Sequence, residues 1–128
     1  MNGWFREVLA DPNLKGKGRL LAIFDALEAW FEDRSPLGKF SGCLFVRASG
    51  EFPHPTDPVH LAAADAKQAF IEMVAAAAEL ERFKKPRLLA RELTLLKEGA
   101  IALAQIQGAS KPALDAKNAA ERLLADWP

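Results

Sequence analysis

Runs of alanine are the feature that most limits how this chain can fold. Residues 62–64 and 75–78 are alanine throughout, and alanine recurs in the last third of the chain. Alanine is the best helix former and a poor strand former. No segment alternates β-branched and polar residues with the period of two that a half-buried strand requires. The sequence therefore predicts an all-α fold.

Prolines and capping residues divide the chain into helical segments. The extended connection 52–58 is rich in proline, and its last pair, Asp57-Pro58, has the order of an N-cap and a first helical residue. Ser110 can cap in the same way, and Gly108 can end the helix before it. The chain is long enough for one domain, residues 1–128, with a sizeable core. We predict helices at about residues 2–10, 16–33, 42–51, 58–84, 87–107 and 111–126.

Composition excludes several classes of protein. The 17 basic and 17 acidic side chains balance, so this segment lacks the basic excess that direct contact with nucleic acid needs. No apolar run reaches the roughly 18 residues of a membrane span, and a charge pair at Arg6-Glu7 interrupts any signal peptide. We expect no membrane contact and a cytoplasmic protein. The single cysteine, Cys43, cannot form an internal disulfide, and on an apolar helix it is predicted to be an inert buried thiol.

The third helix and the loop after it raise two further questions. Residues 42–51 are apolar almost all round, which predicts a helix buried in the middle of the domain. Arg47 and Glu51, four residues apart, can pair on its polar side. His54, Asp57 and His60 have a spacing that metal ligands can show, but the prolines prevent one helix from presenting all three. We predict a rigid solvent-facing loop there, with no metal and no cofactor.

Inward-facing aromatic and flexible side chains are candidates for a ligand pocket, because ligand sites are mostly apolar with a few polar anchors. For each residue the alternative is an ordinary place in the core. Glu92 is the polar candidate: it falls inside the apolar arc of its helix and must find a partner such as Arg47, a ligand, or solvent. The predicted ligand-binding residues are Phe24, Leu27, Trp30, Phe45, Phe70, Met73, Glu92 and Leu96.

The last two helices carry more apolar surface than one core needs. On the fifth helix the apolar arc is roughly 200° wide, about twice what a single packed side requires. The last helix presents small residues that allow close approach. We predict a homodimer built as a four-helix bundle; the alternative is that this surface closes the monomer's own core. The predicted interface residues are Leu88, Leu95, Gly99, Ala102, Leu103, Ile106, Ala113, Ala116, Ala120, Leu123 and Leu124.

Two motifs resemble a known family. The run from Gly42 to Pro53, Gly-Cys-Leu-Phe-Val-Arg-Ala-Ser-Gly-Glu-Phe-Pro, and the run Leu-Leu-Lys-Glu-Gly-Ala at 95–100 are similar to segments in the C-terminal domains of TetR-family transcriptional regulators. The resemblance implies dimerisation through residues 86–128 and binding of a small, largely apolar effector. Residues 1–10 would be a remnant of the linker helix, and DNA binding would require an N-terminal helix-turn-helix domain that this chain lacks.

Two other functions stay open at this point. One is a stand-alone helical dimerisation module without a ligand. The other is a small helical enzyme, against which stands the lack of a persuasive acid–base or nucleophile set. We therefore do not expect an enzyme.

Overall fold

The computed structural model describes residues 1–128, apart from the side chains of Leu44 and Phe45. Its six helices confirm the all-α prediction, and none of the described residues lies in a strand. The helices are α1 (Asn2–Leu9), α2 (Lys17–Phe31), α3 (Leu44–Glu51), α4 (Pro58–Leu80), α5 (Pro86–Gln107) and α6 (Lys111–Ala125). The fourth ends earlier than predicted, because Arg82 and Lys85 adopt left-handed φ angles of 64° and 50° that an α-helix cannot contain.

Local signals explain several helix ends. The Asp57 carboxylate accepts a hydrogen bond from the Val59 N–H at 2.9 Å, and Pro58 is the first helical residue, as predicted. Gly108 ends α5 in the left-handed region, also as predicted. Ser110 precedes α6 but its hydroxyl does not cap it. Its own backbone is already near helical, whereas a capping side chain works from an extended residue.

The centre of the core is α2, which packs against α1, α4, α5 and α6. Leu20, Ile23, Phe24 and Leu27 follow the helical spacing of three and four residues and are all at most 1% exposed. The long hairpin of α4 and α5 lies on one side of α2, and α6 lies on another. None of the six described helices combines the length and hydropathy needed to cross a bilayer.

The prediction that the third helix runs through the middle of the domain is wrong. In the structure α3 packs against α4 at the edge of the domain. Val46 is 53% exposed, and Arg47 also faces solvent. With only two turns, a helical wheel does not distinguish a fully buried helix from one that divides its apolar residues between a neighbour and water.

Arg19 fixes α1 relative to α2 and α4. Its buried guanidinium donates to the carbonyl oxygens of Leu9, Asp11 and Leu14. It also lies 3.3 Å from the Glu81 carboxylate, just after α4. A guanidinium presents five donors in a fixed fork, so one side chain can satisfy several carbonyls at once. Arg19 therefore ties the end of α1 to α2 and to the end of α4.

Candidate functional site

Half of the predicted pocket residues fill the core instead of lining a cavity. Four of them are at most 4% exposed: Phe24, Leu27, Trp30 and Phe70. Met73 and Leu96 are half-buried, but they face two different grooves. The side chain of Phe45 lies outside the described residues. The other predicted residues therefore do not surround one common space in this structure.

The groove between α1 and α4 is the larger of the two. It has a volume of about 570 Å³ and is open along one side. Its walls are mostly apolar and include Leu9, Met73, Ala77 and Leu80, with Arg6 and Glu72 as the charged members. The volume falls within the range of roughly 300–1,000 Å³ that small-molecule sites occupy. Of the predicted ligand-binding residues, only Met73 lies here.

A buried polar cluster lies where the start of α3 meets α4 and α5. We call its four members, Cys43, Lys67, Lys97 and Glu98, the Lys97 cluster. The Lys97 side chain is 1% exposed, and its Nζ lies 3.7 Å from the centre of the Phe70 ring. The same Nζ donates to Glu98 Oε1 at 3.0 Å. The ammonium is thus held by one carboxylate and by the face of an aromatic ring, which attracts cations.

Lys67 connects the cluster to the cysteine. From α4, its Nζ donates to Glu98 Oε1 at 2.6 Å and to Cys43 Sγ at 3.0 Å. Cys43 is 3% exposed, so the prediction of a buried thiol is confirmed, whereas its contact with a lysine was not foreseen. Two ammonium groups share one carboxylate oxygen. With a neutral thiol, the cluster therefore carries one positive charge in excess, which is costly away from water.

The surroundings shift the acid–base equilibria of three of these groups. Burial lowers the pKa of Lys97 below its usual value, and Glu98 only partly offsets this. Burial alone would raise the pKa of Glu98, but the charge of Lys97 and the hydrogen bond from Lys67 outweigh it and lower that pKa. Burial opposes the charge of Lys67 too, yet the hydrogen bonds to Glu98 and Cys43 raise its pKa. Glu98 and Lys67 thus form the stable ion pair of the cluster.

Gly42 brings the cysteine close to α5. Its φ is +92°, a conformation that favours glycine. A Cβ built on Gly42 would lie 2.2 Å from the Gln105 side chain on α5. The absence of a side chain at residue 42 therefore lets the chain turn tightly and place Cys43 against the cluster.

Sequence reasoning missed this cluster because it counted only apolar residues on the fifth helix. The signal was present in the spacing. Lys97 lies four residues after Leu93 and four before Ile101, and these two residues are at most 2% exposed. A residue at that spacing shares their face of the helix. A lysine in a core stripe is rare unless it is paired, and the neighbouring Glu98 supplies the pair.

Glu92, the polar candidate, has a half-buried side chain on α5. Its Oε2 is shielded from solvent and has no hydrogen-bond partner among the described side chains. Arg47 does not provide one: it donates to the Ser41 carbonyl at 3.4 Å. The ion pair proposed within α3, between Arg47 and Glu51, is likewise absent from the ion pairs of the described side chains.

One side of α5, together with the adjoining part of α6, is apolar and exposed. We call it the α5–α6 face. Its largest members are Leu88, Leu95, Leu103 and Ile106, which are 39%, 73%, 49% and 81% exposed. Gly99 and Ala102 lie among them and are also exposed, while Leu123 on α6 is half-buried. A groove of about 310 Å³ runs along this face between the two helices.

Four residues predicted for the interface lie inside the subunit. Ala113, Ala116, Ala120 and Leu124 are at most 8% exposed. They belong to the core that α6 shares with α2 and α5. Small residues do allow close helix approach, but here they serve the packing of α6 within one chain. The face available to a partner therefore consists mainly of α5.

The two histidines that were considered as possible metal ligands each contact another group of the chain. His54 Nδ1 accepts from the Thr56 N–H at 3.2 Å, and His60 Nδ1 lies 3.1 Å from the Phe52 carbonyl oxygen. Across the described residues, no three histidine, cysteine or acidic side chains are grouped to hold a metal ion.

Comparison with known proteins identifies the architecture. The family model described as the tetracyclin repressor-like C-terminal domain matches residues 16–120. The HTH-type transcriptional regulator YjdC of Escherichia coli K12 is 26% identical over 98 residues, as is its counterpart in Shigella flexneri. That alignment covers 77% of this chain and 49% of the regulator, so the chain spans about half the length of these relatives.

A solved structure shows the same fold. The crystal structure of a candidate TetR transcriptional regulator from Streptomyces avermitilis superposes with a TM-score of 0.66 and 25% identity. The match covers 88% of this chain and 62% of that one. The family match extends from just before α2 into α6. It thus includes α4, α5 and the four residues of the Lys97 cluster. The chain therefore belongs to the family of tetracyclin repressor-like C-terminal domains.

Proposed function

We propose that this domain forms a homodimer through the α5–α6 face and responds to a small, largely apolar effector in the groove between α1 and α4. The observation that carries the proposal is the exposed apolar side of α5, on which Leu95 and Ile106 are 73% and 81% exposed. Its relatives are named as transcriptional regulators, which supports a regulatory role for this domain. The domain would supply dimerisation and effector response, and DNA binding would belong to another part of a regulator.

The composition of the face favours a second copy of the chain. Large leucine and isoleucine side chains supply apolar area whose burial drives association. Gly99 and Ala102 between them let another helix approach closely. A two-fold axis that passes between α5 and its copy would bring two helices from each subunit together as a four-helix bundle. Each subunit then contributes the same patch to the interface, because the patch is complementary to its own copy.

The groove between α1 and α4 supports the effector part of the proposal. A ligand there would contact both helices, and Met73 has the flexibility to adapt to its shape. An effector shifts a conformational balance only if it binds one state better than the other. Because α1 forms one wall of the groove, occupancy would favour one position of α1 over another. A change at α1 is the signal we propose.

Sizing with light scattering tests the dimer. We expect the wild-type chain to run as a dimer and Leu103→Glu to run as a monomer. Leu61→Glu is the matched control, since Leu61 is 47% exposed on α4 and Leu103 is 49% exposed on α5. Gly99→Leu is a second probe, which should weaken the dimer: a Cβ at Gly99 meets no atom within 4 Å in the single subunit, so the new side chain can start there without a clash. A monomeric wild type at the highest attainable concentration refutes the dimer.

Thermal unfolding with a panel of apolar and aromatic compounds tests the effector. A compound that binds the folded state raises the Tm by mass action. We expect Met73→Glu to abolish that rise and Leu61→Glu to keep it. If no compound raises the Tm of a wild-type dimer, the domain is a dimerisation module without a ligand. Turnover of a panel compound would instead favour an enzyme.

A further inference from the structure

The contact between Cys43 and Lys67 suggests a chemical signal besides effector binding. We propose that hydroperoxides oxidise Cys43 and that the oxidised sulfur then bonds covalently to Nζ of Lys67. Sγ and Nζ already lie 3.0 Å apart. As a regulatory signal this link rests on the proposed function, but its chemistry can be tested independently.

Two lysine side chains belong to the cluster that contains Cys43. Thiol oxidation proceeds through the thiolate, a form that nearby positive charge stabilises in general. Lys67 contacts the sulfur directly, and Lys97, with a side chain only 1% exposed, adds a second positive charge to the same cluster. Glu98 balances one of these two charges. A thiolate at Cys43 would balance the other and leave the buried cluster neutral.

A small groove opens beside Lys67, next to its contact with the sulfur. A groove of about 130 Å³ lies between α3 and α4, lined by Val46, Ser49, His60, Ala63, Ala64 and Lys67. The side chain of Lys67 is 24% exposed, whereas Cys43 is 3% exposed. Peroxide would therefore arrive beside Lys67, whose Nζ contacts the sulfur.

The first step forms a sulfenic acid. The Cys43 thiolate attacks one peroxide oxygen, an S–O bond forms, and the O–O bond breaks. Sulfur is oxidised by two electrons, and the peroxide is reduced. The leaving hydroxide or alkoxide takes a proton from the Lys67 ammonium and departs as water or an alcohol. Lys67 is now a free amine next to an electrophilic sulfur.

The second step joins the two side chains. The Lys67 amine attacks the sulfenic sulfur, an S–N bond forms, and water leaves with the hydroxyl group and one amine proton. Sulfenic acids condense with nitrogen nucleophiles in this way to give sulfenamides, which thiols reduce. Glu98 then keeps only Lys97 as its partner, so one carboxylate and one ammonium remain. The cluster is therefore neutral both with the Cys43 thiolate before the reaction and with the sulfenamide after it.

Intact-mass measurement of the 128-residue chain tests this chemistry with hydrogen peroxide as the probe. We expect the wild type to lose about 2 Da, two hydrogen atoms, and to regain them with dithiothreitol. Peptide mapping without reductant should join the Cys43 peptide to the Lys67 peptide. Cys43→Ser should not change in mass. Lys67→Arg keeps the positive charge but removes the amine, so it should gain oxygen atoms instead.

Three results would overturn the proposal. One is a wild type that gains oxygen atoms as Lys67→Arg does. Another is a Cys43 that resists peroxide in the folded chain but reacts in denaturant. The third is a link mapped to Lys97. Mapping of the wild type decides the question even if Lys67→Arg fails to fold. A monomeric wild type in light scattering would refute the proposed dimer without affecting any of these masses.

Discussion

Glu98→Gln is expected to cost far more stability than its position near the surface suggests. Glu98 is the only carboxylate that contacts Lys67 and Lys97 in the Lys97 cluster. Its loss leaves two ammonium groups facing each other, one of them on a side chain that is 1% exposed. Removing one partner of a buried ion pair costs about 3–5 kcal/mol. Because Glu98 itself is 25% exposed, we expect the lower end, about 3 kcal/mol.

Lys97→Met should behave in the opposite way. It removes a charge rather than isolating one, since Glu98 keeps the 2.6 Å contact with Lys67. Methionine can fill the space of the lysine stem beside Phe70, so the free energy of unfolding should change by at most about 1 kcal/mol. The contrast between the two variants is the test, because a purely steric account of this core predicts that both substitutions are similar.

Denaturant and thermal unfolding measure both effects. A loss of about 3 kcal/mol lowers the Tm of a domain of this size by roughly 10 °C. Glu72→Gln is the control: it removes an ion pair with Arg87 at 3.2 Å whose side chains are 44% and 71% exposed, and such pairs contribute about 0–1 kcal/mol. A Glu98→Gln protein as stable as the control, or a Lys97→Met protein as unstable as Glu98→Gln, would refute the account of the cluster.

Three further predictions concern stability. The lowered pKa of Glu98 means that its stabilisation is complete above its usual value of 4.5 and is lost as the pH falls through the lower folded-state pKa. In acid denaturation series, the wild type and Glu98→Gln should therefore converge below pH 4.5, and a constant gap would contradict the assignment. Arg19→Lys should cost about 2 kcal/mol in denaturant unfolding, because an ammonium cannot reach all the carbonyls that the guanidinium holds; unchanged stability would show that α1 is held otherwise. Asp57→Ala should cost about 1 kcal/mol through the lost cap of α4, measurable by thermal melting against Asp65→Ala on the exposed side of the same helix, and an equal effect of both would contradict the capping role.

The helices were predictable from sequence because each is specified locally. Asp57 and Pro58 define the start of α4, and Gly108 defines the end of α5, through short-range chemistry that a sequence displays directly. Left-handed residues such as Arg82 and Lys85 carry no comparable signal. The early end of α4 depends on the turn into α5, which only the packed hairpin determines.

Burial was less predictable, because it depends on which neighbours a helix meets. The wide apolar arc of α5 correctly indicated two apolar sides: Leu89 and Leu93 are completely buried, whereas Leu95 and Ile106 are exposed. The small residues of α6 gave no indication of which helix they approach, and Ala116 and Ala120 pack inside the subunit. For Lys97, the core spacing with Leu93 and Ile101 and the adjacent Glu98 could be seen along α5. Phe70 and Lys67, the neighbours that complete the cluster, come from α4, and no pattern along a single helix identifies them.

The two proposed sites share one rigid element, and this has a measurable consequence. On α5, Glu98 of the Lys97 cluster immediately precedes Gly99 of the α5–α6 face. A link between Cys43 and Lys67 takes one partner from Glu98, so oxidation acts on the same turn of helix that a partner subunit would contact. Coupling between two equilibria is reciprocal, and a dimer contains two links. If oxidation of both subunits changes the dimer Kd by some factor, dimerisation changes the equilibrium of each link with a dithiol by the square root of that factor. The first ratio comes from the dimer Kd of reduced and oxidised chains, and the second from dithiothreitol titration of wild type and Leu103→Glu. We expect the first ratio to equal the square of the second and to differ from one, whereas a ratio of one in both measurements would show that α5 does not connect the two sites.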